Sequence, residues 1–121
     1  MLNSHEAALQ LLGHVSAFCA LRGIPPQYLR IHAFDGCDSG WGSYYDGRAW
    51  YTLRSDEALR IFDQVHEFKH ADLMRGRSHY AILWFDSPDI GLEVVGLALR
   101  WVVLGYLEET AAGIEYRSTF L

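Results

Sequence analysis

The chain has 121 residues, of which half are hydrophobic and 14% are aromatic, so it is long enough to bury a core and too apolar to be disordered. We expect one globular domain spanning residues 1–121. The formal net charge of −5 at pH 7 disfavours a nucleic-acid-binding protein, because phosphates require a basic surface.

Targeting signals are not evident in the sequence. Residues 1–6 form no basic and apolar leader, and Glu93 and Arg100 interrupt the most apolar stretch, residues 90–107. The sequence therefore predicts neither a secretory signal nor a membrane span. We expect a cytoplasmic protein in which the two cysteines are reduced thiols.

The first elements are a helix and a strand. Leucine and other apolar residues recur at helical spacing from about Ser4 to Leu21, and Gly23 is a suitable residue to end that helix. Residues 29–34 then alternate between apolar and polar side chains, which is typical of a strand. Residues 35–40 have the composition of a loop.

The strongest local signal is Asp46-Gly47, which is typical of a two-residue type I′ hairpin turn. It is flanked by two strand-like segments, Trp41–Tyr45 and Arg48–Leu53. A turn of that length would pair three sets of residues on one face of the ribbon: Tyr45 with Arg48, Ser43 with Trp50, and Trp41 with Thr52. The other face would carry Gly42, Tyr44, Ala49, Tyr51 and Leu53.

A second helix and a central strand follow the hairpin. Ser55 is a suitable N-cap, and the pattern after it predicts a helix over about Asp56 to Met74. Residues 79–85 are nearly all apolar, as expected for a strand that is covered on both faces.

The apolar stretch after Ser87-Pro88 is predicted to be a third helix that ends near Gly113, because both ends carry helix signals. Its β-branched residues leave a strand open as the alternative for residues 97–106. A helix this apolar is either central to the fold or buried against a second subunit, so a homodimer through residues 90–107 is also considered. Residues 114–120 alternate again and predict a last strand.

These elements predict an α+β fold in the order α-β-β-β-α-β-α-β. Three helices would pack on a sheet of about five mostly antiparallel strands. The order of the strands in the sheet does not follow from the sequence.

One string in the chain matches a catalytic motif. Residues 66–70 read H-E-x-x-H, in which His66 and His70 could bind zinc on one face of a helix while Glu67 activates a water molecule. The apolar positions of the second helix place Glu67 on the opposite, polar face, where it would be solvated. We therefore interpret the match as a solvated helix face, keep a zinc-dependent hydrolase as the alternative, and predict no cofactor.

Aromatic and charged residues around the hairpin suggest a binding surface instead. Trp, Tyr and Arg dominate the energetic hot spots of protein interfaces, and carboxylates beside them would steer a basic partner. The alternative is that this face packs under a helix while the opposite face points outward. The candidate partner-binding residues are Asp35, Asp38, Trp41, Tyr45, Asp46, Arg48 and Trp50.

The composition is typical of small proteins that act by occluding a partner protein, such as immunity proteins, antitoxins and phage-encoded inhibitors. The sequence therefore favours an acidic protein-binding module that is not an enzyme. A zinc-dependent hydrolase is the first alternative, and a homodimeric assembly subunit is the second.

Overall fold

The computed structural model describes residues 3–33, 42–54, 56–61 and 77–120, which form one antiparallel sheet with helices packed on both faces. The elements in chain order are α1 (Ser4–Leu21), a 3-10 turn (Pro26–Tyr28), β1 (Leu29–Ala33), β2 (Gly42–Tyr45), β3 (Trp50–Leu53), α2 (residues 56–61), β4 (Arg77–Trp84), α3 (Pro88–Val95), β5 (Trp101–Thr110) and β6 (Gly113–Ser118).

The six strands lie in the order β3-β2-β1-β4-β5-β6, and every neighbouring pair is antiparallel. The predicted α+β class, with three helices on a single antiparallel sheet, is confirmed, with six strands where about five were expected. In the described part of the chain, no helix is long and apolar enough to cross a membrane.

Helix α1 begins and ends where the sequence predicted. The side chain of Asn3 caps it by accepting a hydrogen bond from the backbone N–H of Glu6 at 2.9 Å. Beyond its end, Gly23 adopts a φ of 66°, which favours glycine. The helix buries one stripe of small and apolar side chains against the sheet: Ala7, Ala8, Leu11, Val15 and Cys19.

Each face of the sheet has its own apolar cluster. The first face packs against α1 through residues of four strands and the segment after β4: Leu29, Ile31, Tyr45, Ala81, Leu83, Phe85, Val102, Leu104 and Leu107. The second face packs against α2, whose Ala58 and Ile61 are fully buried. Its other buried members are Leu53, Tyr80, Ile82, Val103 and Tyr106.

The hairpin is real, but its predicted register is wrong. Tyr45 pairs with Trp50 and Ser43 pairs with Thr52, so four residues, 46–49, form the loop. The carboxylate of Asp46 accepts the backbone N–H groups of Arg48 and Ala49, at 2.9 and 3.3 Å, and so closes the wider loop. Because the register differs by two residues, each side chain keeps its predicted face of the ribbon.

The predicted third helix is also wrong over most of its length. Helix α3 ends at Val95 because Gly96 adopts a φ of 75° and donates its N–H to the carbonyl of Leu92 at 3.0 Å. Residues 101–110 form β5 between β4 and β6, so the strand alternative for residues 97–106 is right from residue 101 onward. Val102 and Val103 face opposite sides of the sheet, and each is buried in a cluster.

This correction changes the basis for a homodimer. The residues from Val102 to Leu107 are buried within the chain's own sheet. A homodimer through residues 90–107 stays a prediction, and the exposed leucines that it could use are Leu92, Leu97 and Leu99.

Candidate functional site

The predicted binding face of the hairpin is buried at Tyr45 and half-buried at Trp50. Tyr45 is only 5% exposed and belongs to the cluster under α1, where its ring lies 5.6 Å from that of His5. Trp50 is half-buried, with its ring 5.4 Å from that of Tyr45. The expectation of an exposed anchor at Tyr45 is wrong, because this face of the ribbon continues the sheet surface on which α1 packs.

Two other predicted residues shape the hairpin loop. The backbone N–H of Arg48, and secondarily that of Ala49, hold the pKa of the Asp46 carboxyl below its ordinary value. The Arg48 side chain is exposed. Asp46 therefore has a local role in closing the loop.

The remaining sequence candidates lie outside the described residues. These are Asp35, Asp38 and Trp41 of the predicted binding surface, and His66, Glu67 and His70 of the H-E-x-x-H string. Within residues 3–33, 42–54, 56–61 and 77–120, no three His, Cys, Asp or Glu side chains are grouped to hold a metal ion.

A hollow of about 200 Å³ lies on the second face of the sheet. Strand β1 alternates, so that Leu29 and Ile31 pack under α1 while Arg30 and His32 project to the other side. Residues from five segments complete the walls. The hollow is lined by Arg30, His32, Tyr44, Leu53, Glu57, Trp84 and Asp86.

A second hollow of about 110 Å³ adjoins the first, and Glu57 and Trp84 line both. Trp84 and Trp101 are directly paired across β4 and β5, and both are half-buried. The second hollow is lined by Arg54, Glu57, Arg60, Trp84, Arg100 and Trp101. We call Trp84, Trp101, Arg54, Arg60 and Arg100 the tryptophan–arginine surface.

Positive charge is concentrated around these hollows. Four arginines and two carboxylates line them, although the chain as a whole carries a net charge of −5. Arg54 pairs with Glu57 at 3.1 Å and with Asp56 at 3.6 Å. Arg60 and Arg100 have no carboxylate within ion-pair distance in the part of the chain that the structure describes.

Two of the arginines are held in place by backbone oxygens. The guanidinium of Arg100 donates to the carbonyl of Asp86 at 3.1 Å. That of Arg30 donates to the carbonyls of Gln27 and Leu29, and lies 5.8 Å from the centre of the Tyr44 ring. Carbonyl contacts orient these cations without neutralising them, so their charge stays available to a partner.

His32 forms a neutral part of the first hollow. The side chain is 1% exposed, and burial, followed by the charge of Arg30, lowers its pKa from 6.5 to about 3. A general base works best with a pKa near the operating pH. An imidazole with so low a pKa is therefore poorly matched to acid–base catalysis at neutral pH.

The lowered pKa of His32 predicts a specific loss of stability in acid. Below pH 6.5 the unfolded histidine binds a proton while the folded one stays neutral down to about pH 3, so stability is complete above 6.5 and falls as the pH drops. Between about pH 7.5 and 5, this group should remove about 2 kcal/mol from the free energy of unfolding. Urea unfolding at both pH values measures the loss.

The variant His32→Leu provides the reference for this measurement, because leucine takes up no proton. The stability difference between the wild type and the variant should shift by that same amount over the pH interval. If both proteins lose equal stability between the two pH values, the assignment of a neutral, buried His32 is wrong.

Sequence reasoning missed most of this site. The alternation in β1 placed Arg30 and His32 on one face of a strand, but no local pattern relates that strand to Trp84 and Trp101. Comparison with protein-family models, curated protein sequences and solved structures finds no match.

Proposed function

We propose that this chain is a small protein-binding module that acts by occluding a partner protein, in the manner of immunity proteins, antitoxins or phage-encoded inhibitors. The partner would lie against the tryptophan–arginine surface. The observation that carries the proposal is the pairing of two half-buried tryptophans, Trp84 and Trp101, beside arginines on one hollowed face.

The energetics of such a surface favour a protein partner. Tryptophan and arginine are the residue types most enriched at interface hot spots, where truncation of one side chain costs about 2 kcal/mol or more. Strand pairing places Trp84 and Trp101 side by side on one face of the sheet, where a partner could contact both.

The size of the hollows supports the same conclusion. Sites for small molecules usually enclose roughly 300–1,000 Å³. The two hollows measure about 200 and 110 Å³ and lie side by side. Each hollow by itself is smaller than such a site and could take a side chain of a partner.

Differential capture tests the proposal. Wild-type protein and the variant Trp101→Ala are immobilised and exposed to the same native lysate, and retained proteins are quantified by mass spectrometry. We expect at least one protein to be retained by the wild type and lost by the variant, with its affinity reduced about 30-fold, which corresponds to about 2 kcal/mol.

The matched control is Trp50→Ala, which removes a tryptophan of similar burial from the edge strand β3 on the opposite face. It should retain the same protein. Arg60→Ala offers a second test variant that leaves the apolar clusters intact, since Arg60 is exposed. Circular dichroism establishes that each variant is folded.

The opposite pattern would contradict the proposal. If folded Trp50→Ala loses the partner while Trp101→Ala and Arg60→Ala keep it, the hairpin is the binding surface, as the sequence first suggested. If no retained protein distinguishes any variant from the wild type, partner occlusion through this face is wrong.

A further inference from the structure

We infer that the tryptophan–arginine surface binds an acidic segment of the partner protein. The inference rests on the proposed function and adds the partner's chemistry to it. An acidic partner is the opposite of the basic partner that the acidic loop residues suggested. The change follows from the positions of the arginines in the structure.

The charges that face the surface favour carboxylates. Arg60 and Arg100 have no carboxylate partner within the described ranges, whereas Arg117 on the edge strand β6 pairs with Glu115 at 2.7 Å and Glu108 at 3.7 Å. Arginine binds carboxylates through two parallel hydrogen bonds, which gives both strength and orientation. The surface thus offers two donors that a partner's Asp or Glu would satisfy.

The negative net charge does not prevent this contact. Charges farther apart than about 8 Å are largely screened at physiological ionic strength, so the rest of the molecule acts weakly on a carboxylate at Arg60. Glu57 and Asp86 lie among the lining residues, and they require the carboxylates of the partner to be spaced by other residues. Apolar side chains in those gaps would contact Trp84.

The same pattern disfavours a nucleic acid. A phosphate backbone carries a charge at every nucleotide and cannot leave one out opposite Glu57 and Asp86. An acidic peptide can, because its sequence sets where the carboxylates lie. Bases could still stack on the tryptophans, so a single strand is included in the test.

Two peptide arrays of equal size test the inference. Both consist of short peptides with randomised apolar and aromatic residues at alternate positions; the intervening positions are glutamate in one array and lysine in the other. We expect the purified chain to bind peptides of the glutamate array selectively at low salt. A peptide bound there is then measured in solution by fluorescence anisotropy.

Charge reversal assigns that binding to the surface. Arg60→Glu should weaken the glutamate peptide about tenfold or more, because a charge-assisted hydrogen bond is replaced by repulsion. Arg48→Glu, in the exposed hairpin loop, changes the net charge equally and should leave the affinity within about twofold. Arg100→Gln should also weaken binding, and high salt should reduce the affinity of the wild type.

Several outcomes would overturn the inference. The inference is wrong if the chain binds neither array or binds the lysine array more strongly. It is also wrong if Arg60→Glu and Arg48→Glu lose equal affinity for the selected peptide. Tighter binding of a single-stranded thymine oligonucleotide than of that peptide would contradict it as well. If the glutamate array fails while Trp101→Ala still loses a captured protein, the surface is correct and the acidic partner is wrong. If Trp101→Ala loses nothing, the proposed function itself fails.

Discussion

Replacing Gly91 with alanine is expected to destabilise the protein by about 3 kcal/mol or more. Gly91 lies in α3 where the chain passes directly over it: an added Cβ would overlap the carbonyl oxygen of Leu99 and lie 2.9 Å from that of Leu97. These are backbone atoms, and the N–H of Leu99 donates to the carbonyl of Leu97 at 2.8 Å. The clash therefore cannot be relieved by moving a flexible side chain. Urea unfolding gives the free energy of each protein.

The matched control is Gly13→Ala. Gly13 lies within α1, is exposed, and has no atom within 4 Å of the position that a Cβ would take. Alanine there should stabilise the protein by roughly 0.5–1 kcal/mol, because glycine is a poor helix former. If the free energy of unfolding falls in Gly91→Ala and rises in Gly13→Ala, close packing around Gly91 is the cause of the loss. Wild-type stability in Gly91→Ala would contradict the packing of residues 97–99 on α3.

Replacing Phe85 with alanine is expected to cost roughly 3–5 kcal/mol of the free energy of unfolding. Phe85 follows β4 directly and is fully buried in the cluster beneath α1, where its ring contacts that of Tyr28 edge-on at 5.2 Å between centres. Its backbone N–H also donates to the carbonyl of Arg100 at 2.6 Å, so the backbone cannot easily close the cavity. The urea midpoint should fall accordingly.

A conservative variant tests whether the stability loss depends on the side-chain volume that is removed. Phe85→Leu keeps an apolar side chain of moderate size and should cost less than half as much, about 1.5 kcal/mol. A loss below about 1 kcal/mol in Phe85→Ala would show that the site collapses freely or is not buried.

Elements whose signals are local were predicted well from the sequence. The bounds of α1 were predicted from one apolar stripe and from Gly23, and the structure adds the Asn3 cap. The segments that form β1, β4 and β6 were recognised from their alternating or wholly apolar patterns, within about two residues at each end. The α+β class followed from the order of these elements.

Elements that depend on competing local signals were predicted less well. Residues 97–106 satisfied both a helix pattern and a strand pattern, and the positive φ of Gly96 decided between them. The hairpin dipeptide suggested a two-residue turn, but the carboxylate of Asp46 closes a loop of four residues. In the first case a glycine with positive φ outweighed the helix propensity of the segment. In the second, hydrogen bonds from the backbone to a side chain outweighed the turn preference of the dipeptide.

The sequence by itself determined the α+β class of the fold and the segments that form α1, β1, β4 and β6. It could not relate Arg60, Trp84 and Trp101, because they lie on three elements whose neighbourhood depends on strand order. Only the tertiary structure decided that Tyr45 of the hairpin is buried under α1 and that arginines gather on the other face of the sheet. The physical reason is that local patterns fix which residues share a face of a strand, whereas long-range pairing and helix packing fix which face is buried.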